Sequence, residues 1–192
     1  MALRVPKAEL SSEFREKLIQ QLGKVPEPLE ALWNAPKVAE ATSEFSARMG
    51  TWDACDDSLK TFAHMAVATM VGCSWCLDVN YFLAMNKNLD LAKASQVPRW
   101  RDSAVFTPLE QDVLDYAEAM TGTPTTVTDE LSERLLEQLG PAALVELTVF
   151  ISAANMASRC NTALGITSQG YSEACAIPLA NRTGSSRIVS TL

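Results

Sequence analysis

The sequence contains a single histidine, and it lacks the residue groups that most protein metal sites use. One Cys-x-x-Cys motif is present. There is no second one, and no His-x-x-x-His pair completes the four ligands that a structural zinc ion requires. The sequence therefore predicts neither a structural metal nor another cofactor.

Positively charged residues are in the minority. Sixteen lysines and arginines stand against 23 aspartates and glutamates, which gives a formal net charge of -7 at neutral pH. Nucleic acids and anionic membrane surfaces attract proteins with basic patches. We therefore expect neither nucleic acid nor a membrane as the main partner.

Long hydrophobic runs are also missing. The longest, about residues 62–77, is interrupted by His64 and Gly72 and ends at Asp78. It is too short and too interrupted to cross a bilayer. Residues 1–10 hold no long apolar segment of the kind found in secretory signals. From these features we expect a cytoplasmic protein.

Alternating runs of β-branched residues, which would indicate strands, do not occur. The chain has 192 residues, 47% of them hydrophobic, which is enough to build the core of one domain. The fold class is therefore predicted as all-α, with residues 1–192 in a single domain and an irregular tail at 166–192. Capping residues, prolines and glycines set the expected main helices: 11–22, 36–49, 56–71, 73–86, 107–120, 128–140 and 141–164. Shorter helices are expected at 29–33 and 89–95, and a loop at 97–106.

Five cysteines are present, and an odd number at irregular spacings does not suit a structural disulfide framework. Two of them form the motif Cys73-Ser74-Trp75-Cys76. Thiols at this spacing lie on one side of a helical turn and are close enough to form a disulfide. A helix that begins near Cys73 would also stabilise a thiolate at its N-terminus. The alternative is that both cysteines pack as small hydrophobic residues.

Around this motif the sequence resembles the carboxymuconolactone decarboxylase superfamily, and in particular its alkylhydroperoxidase D-like branch. Residues 63–68, AHMAVA, and 71–78, VGCSWCLD, carry the resemblance, together with 143–147, ALVEL, and 159–165, RCNTALG. The resemblance covers roughly residues 40–170. It implies an AhpD-like helical fold with an internal helical-hairpin repeat, assembly into a homo-oligomer, and a cysteine pair that reduces hydroperoxides.

The sequence lacks two residues that are thought to relay a proton to the thiol in that branch. The branch usually has a glutamate about twelve residues before the first cysteine and a histidine four residues after the second. Here those positions hold Thr61 and Asn80. The candidates to replace the missing groups are His64 and Asp78. His64 precedes Cys73 by nine residues, about 900° along an unbroken helix, so it would meet the cysteines only across a bend or from another subunit.

The leading hypothesis is a thiol-dependent peroxidase or disulfide oxidoreductase, with Cys73, Cys76, His64 and Asp78 as its catalytic residues. One thiolate attacks a hydroperoxide and becomes a sulfenic acid, and the second thiol forms the disulfide. The partners would be a hydroperoxide or other small-molecule substrate and a thiol reductant. The helix dipole favours Cys73 as the attacking cysteine, whereas the resemblance favours Cys76.

Two alternatives belong to other functional classes. A lactone-type lyase or decarboxylase would need cationic groups such as Arg99, Arg101 or Arg159 to bind a substrate carboxylate. A non-catalytic oligomeric protein could keep the fold without the activity. The sequence also hints at a duplication, in which 59–62 corresponds to 144–147 and Gly72-Cys73 to Ala157-Ser158.

Overall fold

The structure is a computed structural model that describes residues 3–181, and this range contains eight α-helices and no β-strand. The helices, in chain order, are α1 Ser12–Leu22, α2 Glu27–Leu32, α3 Pro36–Met49, α4 Asp57–Val71, α5 Ser74–Asn86, α6 Leu91–Gln96, α7 Pro108–Thr121 and α8 Asp129–Ala163. Two 3₁₀ helices cover Val97–Asp102 and Ser172–Ala174. The prediction of an all-α fold is confirmed.

Side-chain caps explain where the main helices begin. The hydroxyl of Ser11 accepts a hydrogen bond from the N–H of Phe14 at the start of α1. At the start of α7, Thr107 and Glu110 form a reciprocal capping box. Each cap satisfies backbone N–H groups that have no partner inside the helix, which is why short polar residues mark these starts in the sequence.

Three local predictions differ from the structure, and one of them is α6, which begins at Leu91 rather than at 89. Residues 97–102, expected in a loop, form a 3₁₀ helix held by tertiary contacts. Its Trp100 is buried and donates from its indole N–H to a carboxylate oxygen of Glu118 at 2.9 Å. The short second helix starts at Glu27, two residues before the expected 29. The part of the predicted tail that follows Asn181 lies outside the described residues.

Helix α8 is broken at Gly140, which has φ 75° and ψ 168° and is followed by Pro141. The break falls where the sequence predicts the boundary between two helices. By length and composition alone α8 could cross a bilayer, and among the described helices this holds for α8 only. In the fold, however, it packs against α4 and α7.

The core is built around α4, which packs against α5, α7 and α8. Its residues from Leu59 to Ala68 are buried except His64, which is half-buried, as the nearly all-round apolar sequence predicts. Lys60 contacts Glu146 on α8, and one turn later His64 contacts Phe150. Because both contacts advance in the same direction, α4 and the second half of α8 run parallel. This arrangement brings the end of α8 towards the start of α5.

Candidate redox site

The Cys-x-x-Cys motif lies where the chain leaves α4 and begins α5. Gly72 ends α4 in the left-handed conformation, with φ 80°. The N–H groups of Gly72 and Cys73 both donate to the carbonyl of Ala68, at 3.0 and 2.9 Å. Glycine adopts this conformation without the steric penalty of a Cβ atom. The chain therefore turns sharply and starts a new helix at the motif.

Cys73 and Cys76 are joined by a disulfide, and their Cα atoms are 5.3 Å apart. Cys73 is the N-cap of α5, and its Sγ accepts a hydrogen bond from the N–H of Cys76 at 3.2 Å. The sulfur thus lies at the positive end of a helix and faces a free backbone donor. Both features lower the free energy of a thiolate once the disulfide is reduced.

Both cysteines are almost fully buried, each 1% exposed, and pack with Ala68, Trp75 and Leu77. One polar side chain reaches them from another helix. Asn161, near the end of α8, donates from Nδ2 to Sγ of Cys76 at 3.3 Å. Asn161 is absent from the residues that sequence reasoning selected. Two signals could have pointed to it: Asn161 lies in the stretch 159–165 that carries the family resemblance, and it corresponds to Cys76 in the suggested duplication.

A cavity of about 300 Å³ opens beside Cys73. Cys73 is among its lining residues, whereas Cys76 is not. The other described lining residues carry no charge and come from α4, the turn after it, α5, the 3₁₀ helix Val97–Asp102 and the segment after α8: Ala68, Thr69, Gly72, Ser74, Leu77, Pro98, Leu179, Ala180 and Asn181. The cavity therefore lies beside Cys73, and its lining would suit a small, mainly apolar molecule.

Asp78 is buried on α5, and its carboxylate is occupied by the segment that follows α8. It accepts hydrogen bonds from the Ser168 hydroxyl and from the backbone N–H groups of Gln169, Tyr171 and Ser172, between 2.7 and 3.1 Å. Burial raises the pKa of Asp78, but these hydrogen bonds outweigh it and leave the pKa below its usual value. In this structure Asp78 anchors residues 168–172.

His64 lies on α4 with its ring edge-to-face against Phe150 of α8, at a centroid distance of 6.1 Å. Its Nε2 is buried and has no hydrogen-bond partner among the described residues. Burial lowers the pKa of His64 to about 4, so the ring is neutral at physiological pH. Phe150 and Asn161 are three turns apart on α8, about 16 Å. No described hydrogen bond joins His64 or Asp78 to either sulfur, and their catalytic role stays a prediction.

The positions that lack the usual relay residues have other partners. Asn80 donates from Nδ2 to the backbone carbonyl of Cys76 at 2.8 Å, and Thr61 is buried in α4. Glu146, which corresponds to Thr61 in the duplication, accepts a hydrogen bond from Lys60 at 2.8 Å. Burial raises the pKa of Glu146. The hydrogen bonds from Lys60 and from the N–H groups of Ala54 and Cys55 outweigh burial and leave the pKa below its usual value. This pair fixes α8 to the start of α4.

The arginines that a lyase would use lie elsewhere. Arg101 forms ion pairs with Asp115 and Glu118, and Arg159 donates to the backbone carbonyl of Thr121 at 2.8 Å. Arg99 is exposed on the 3₁₀ helix. None of the three lines the cavity beside Cys73.

Comparison with known proteins places this site in context. The profile of the carboxymuconolactone decarboxylase family matches residues 36–119, a range that includes the cysteine motif. An uncharacterized protein of Escherichia coli strain K12, YnjA, is 34% identical over 123 residues. That alignment covers 64% of this chain and 66% of YnjA, just under two thirds of its length.

Two solved structures illustrate the similarity of the fold. The debrominase Bmp8, in complex with 2,3,4-tribromopyrrole, superposes with a TM-score of 0.76 at 18% identity and covers 91% of this chain and 95% of its own. A peroxidase-related protein of Ralstonia eutropha with an alkylhydroperoxidase AhpD core gives a TM-score of 0.75 at 17% identity, covering 86% and 92% of the two chains. At these identities the likeness concerns the fold alone.

Proposed function

We propose that the chain, which matches the profile of the carboxymuconolactone decarboxylase family over residues 36–119, belongs to the AhpD-like branch of that superfamily and is a thiol-dependent peroxidase that cycles the Cys73–Cys76 disulfide. One observation carries the proposal. The disulfide lies in the first turn of α5, directly beside the cavity that reaches Cys73. A cysteine pair that only filled the core would need neither a helix N-terminus nor a path for a small molecule.

In the proposed cycle Cys73 is the attacking cysteine, because it borders the cavity and its sulfur accepts the N–H of Cys76. The Cys73 thiolate attacks one oxygen of the hydroperoxide, and the O–O bond breaks. The alcohol leaves after taking up a proton, and Cys73 becomes a sulfenic acid. Cys76 then attacks Sγ of Cys73, and the sulfenic oxygen takes up a proton and leaves as water.

An external thiol reductant completes the cycle. Its first thiolate attacks Sγ of Cys73, the sulfur beside the cavity, and its second thiol releases the mixed disulfide, so that Cys73 and Cys76 return to the dithiol. The net reaction converts one hydroperoxide and two reductant thiols into an alcohol, water and a reductant disulfide. Such a cycle needs a reducing compartment, which supports the proposed cytoplasmic location.

The decisive experiment counts free thiols before and after a stoichiometric dose of hydroperoxide, using the fully reduced protein. We expect two thiols to disappear, and mass spectrometry to locate the loss in the peptide that carries both cysteines. Steady-state turnover with dithiothreitol and cumene hydroperoxide should follow. Cys160→Ser is the matched control, because Cys160 is an exposed free cysteine. If both motif cysteines stay reduced while hydroperoxide persists, the proposal is wrong.

Reductive dehalogenation is a second candidate, suggested by the uncharged lining of the cavity beside Cys73. The same two thiols would replace a carbon–bromine bond by a carbon–hydrogen bond, with release of bromide and a proton and formation of the disulfide. Tribromopyrrole is the test compound, since the structurally similar Bmp8 was captured with it. Release of bromide without hydroperoxide turnover would favour this candidate. A lyase reaction has less support, because no described cationic side chain lines the cavity.

We also propose that the protein forms a homo-oligomer. The support is a stripe of exposed apolar residues on one face of α8, at helical spacing: Val145, Val149 and Met156. Light scattering at micromolar concentration should give at least twice the mass of one chain, 20.9 kDa. A monomer would remove any role for His64 in the site of another subunit.

A further inference from the structure

The hydrogen bond between Asn161 and Cys76 is unusual for its surroundings. Cys76 is 1% exposed and Asn161 7% exposed, and the neighbouring side chains of the cysteine cluster are apolar. An amide buried against a disulfide gains little, because disulfide sulfur is a weak acceptor. The same N–H would gain far more from a thiolate, since hydrogen bonds to charged groups are about twice as strong.

A second buried polar group lies on the same face of α8. Ser158 is one turn before Asn161, is fully buried, and its hydroxyl has no hydrogen-bond partner among the described residues. Buried polar groups without partners are costly unless another state of the protein uses them. This end of α8 thus holds a second buried polar side chain one turn before Asn161, which itself reaches the sulfur of Cys76.

We propose that Asn161 is a catalytic residue that stabilises the thiolate of Cys76. The inference rests on the proposed thiol–disulfide cycle and adds a residue to it. In the reductive half, a reductant thiolate attacks Sγ of Cys73, the S–S bond breaks, and its electron pair moves to Sγ of Cys76. The Nδ2–H group of Asn161 stabilises the negative charge that develops there. In the oxidative half, the same bond keeps Cys76 deprotonated for its attack on the sulfenic acid.

The charged and titratable groups nearby do not offer an alternative donor. On α5, Asp78 directs its carboxylate to residues 168–172. On α8, Cys160 is exposed and Arg159 bonds to Thr121. The described hydrogen bonds to the two sulfurs come from Asn161 and from the N–H of Cys76. The stabilisation of Cys76 therefore depends on Asn161.

The test measures the thiol pKa of Cys76 directly. In a Cys73→Ser background, the peptide that carries Cys76 is followed by mass spectrometry during alkylation with iodoacetamide at a series of pH values. Asn161→Leu removes the donor at similar volume, and we expect the alkylation midpoint to rise by about one pH unit, a tenfold loss of thiolate. Asn161→Asp replaces the donor by a negative charge at equal size, and its midpoint should rise further.

Asn155→Leu is the matched control. Asn155 is a half-buried asparagine of α8, and its Nδ2 donates to Thr121 and to the carbonyl of Ile151, away from the sulfurs. Its loss should lower stability without moving the midpoint of Cys76. If Asn161→Leu does not fold, the equal-sized Asn161→Asp decides the question. An unchanged midpoint in the folded variants would reduce Asn161 to a packing residue.

A second measurement separates this inference from the proposed function. With both cysteines present, Asn161→Leu should form the sulfenic acid of Cys73 at an unchanged rate. Because Cys76 then attacks more slowly, the sulfenic acid should persist about ten times longer, as measured by its labelling with dimedone. If wild-type protein reduces no hydroperoxide and the midpoint still shifts, the peroxidase proposal fails and the role of Asn161 stands. If hydroperoxide is reduced and no midpoint shifts, the role of Asn161 fails and the peroxidase stands.

Discussion

In the duplication that the sequence suggests, residues 72–76 correspond to residues 157–161, but the chain breaks its helix only at the first of these two segments. At Gly72 the chain leaves α4 and restarts as α5, so Cys73 becomes a helix cap. At Ala157 α8 continues for another two turns, and Ser158 and Asn161 remain inside a regular helix. The first segment therefore has free backbone donors, whereas the second has only side chains to offer.

The difference shows how two unlike segments contribute to one candidate site. A helix start supplies the positive end and the unpaired N–H groups that favour a thiolate. A continuous helix supplies a rigid support from which the amide of Asn161 reaches the other sulfur of the pair, that of Cys76. Because α4 and α8 run parallel, the two unlike segments come together, and the contact between Cys76 and Asn161 joins them.

The largest expected loss of activity comes from making segment 72–76 resemble segment 157–161. Cys73→Ser gives it the serine found at 158, and we expect complete loss of the disulfide and of hydroperoxide turnover. Cys76→Ser should also abolish the disulfide, but Cys73 should still react with hydroperoxide once and remain a sulfenic acid, detectable with dimedone. If instead Cys73→Ser still forms the sulfenic acid, at Cys76, the attacking cysteine has been assigned the wrong way round.

The next largest effect is a loss of stability at the end of the α4–α8 contact that lies away from the cysteines. Lys60 and Glu146 form a largely buried pair with Nζ and Oε1 2.8 Å apart. Glu146→Ala leaves the buried lysine with Asp57 as its remaining carboxylate and removes the acceptor of the Ala54 and Cys55 N–H groups, so we expect the free energy of unfolding in urea to fall by about 3 kcal/mol. Glu44→Ala, which breaks an exposed pair with Arg48, is the control and should cost less than about 1 kcal/mol. Equal losses in the two variants would mean that this pair does not fix α8 to α4.

The comparison also shows which parts of the molecule the sequence predicts. Helix α3 has the predicted bounds, and the breaks at Gly72 and Gly140 were expected, because caps, prolines and glycines act on their own neighbours. The cysteine pair was found for the same reason, since its two members are three residues apart. Sequence reasoning succeeds where the interacting groups are close along the chain.

Contacts between distant segments were not predictable in this way. The bond from Asn161 to Cys76 spans 85 residues, and the bonds from residues 168–172 to Asp78 span at least 90. No local pattern records that a carboxylate two residues after the motif will anchor a later segment. The same holds for the 3₁₀ helix at 97–102, whose Trp100 is held by Glu118 on α7.

A smaller change in stability, which depends on pH, is expected from His64 at the middle of the α4–α8 contact. The unfolded chain protonates His64 near pH 6.5, whereas the folded chain does so only near pH 4. Between these values the unfolded state binds more protons, so stability should fall as the pH drops from about 6.5 to 4, by about 2 to 3 kcal/mol in total. Above pH 7 the histidine should have no such effect.

His64→Leu removes this titration, and its urea-unfolding free energy should depend less on pH over that interval than that of wild type. Each protein is compared with itself across the pH range. A change in packing alters the unfolding free energy equally at every pH and therefore does not affect this comparison. If the unfolding free energies of the two proteins depend on pH in the same way, His64 is accessible to protons in the folded state. A role as proton donor would then regain support.

The smallest expected change in stability tests the helix break itself. Gly72→Ala places a Cβ at φ 80°, where it meets no atom within 4 Å, so only the left-handed conformation is penalised. That penalty is about 1 to 2 kcal/mol for a residue other than glycine. Gly23→Ala is a close match: Gly23 ends α1 at φ 76°, also with open space around its Cβ. Both variants should lose the same small amount of stability in urea.

The two glycines should differ in their effect on the cysteines. Gly72 positions Cys73 at the start of α5, so relaxation of the backbone at residue 72 would move the sulfur away from the N–H of Cys76. Alkylation of Cys73 at neutral pH should therefore slow several-fold in Gly72→Ala and stay unchanged in Gly23→Ala. Unchanged alkylation in both variants would mean that the start of α5 is held by its packing against α4 and α8. In that case the reactivity of Cys73 would not depend on the glycine that distinguishes the first segment from the second.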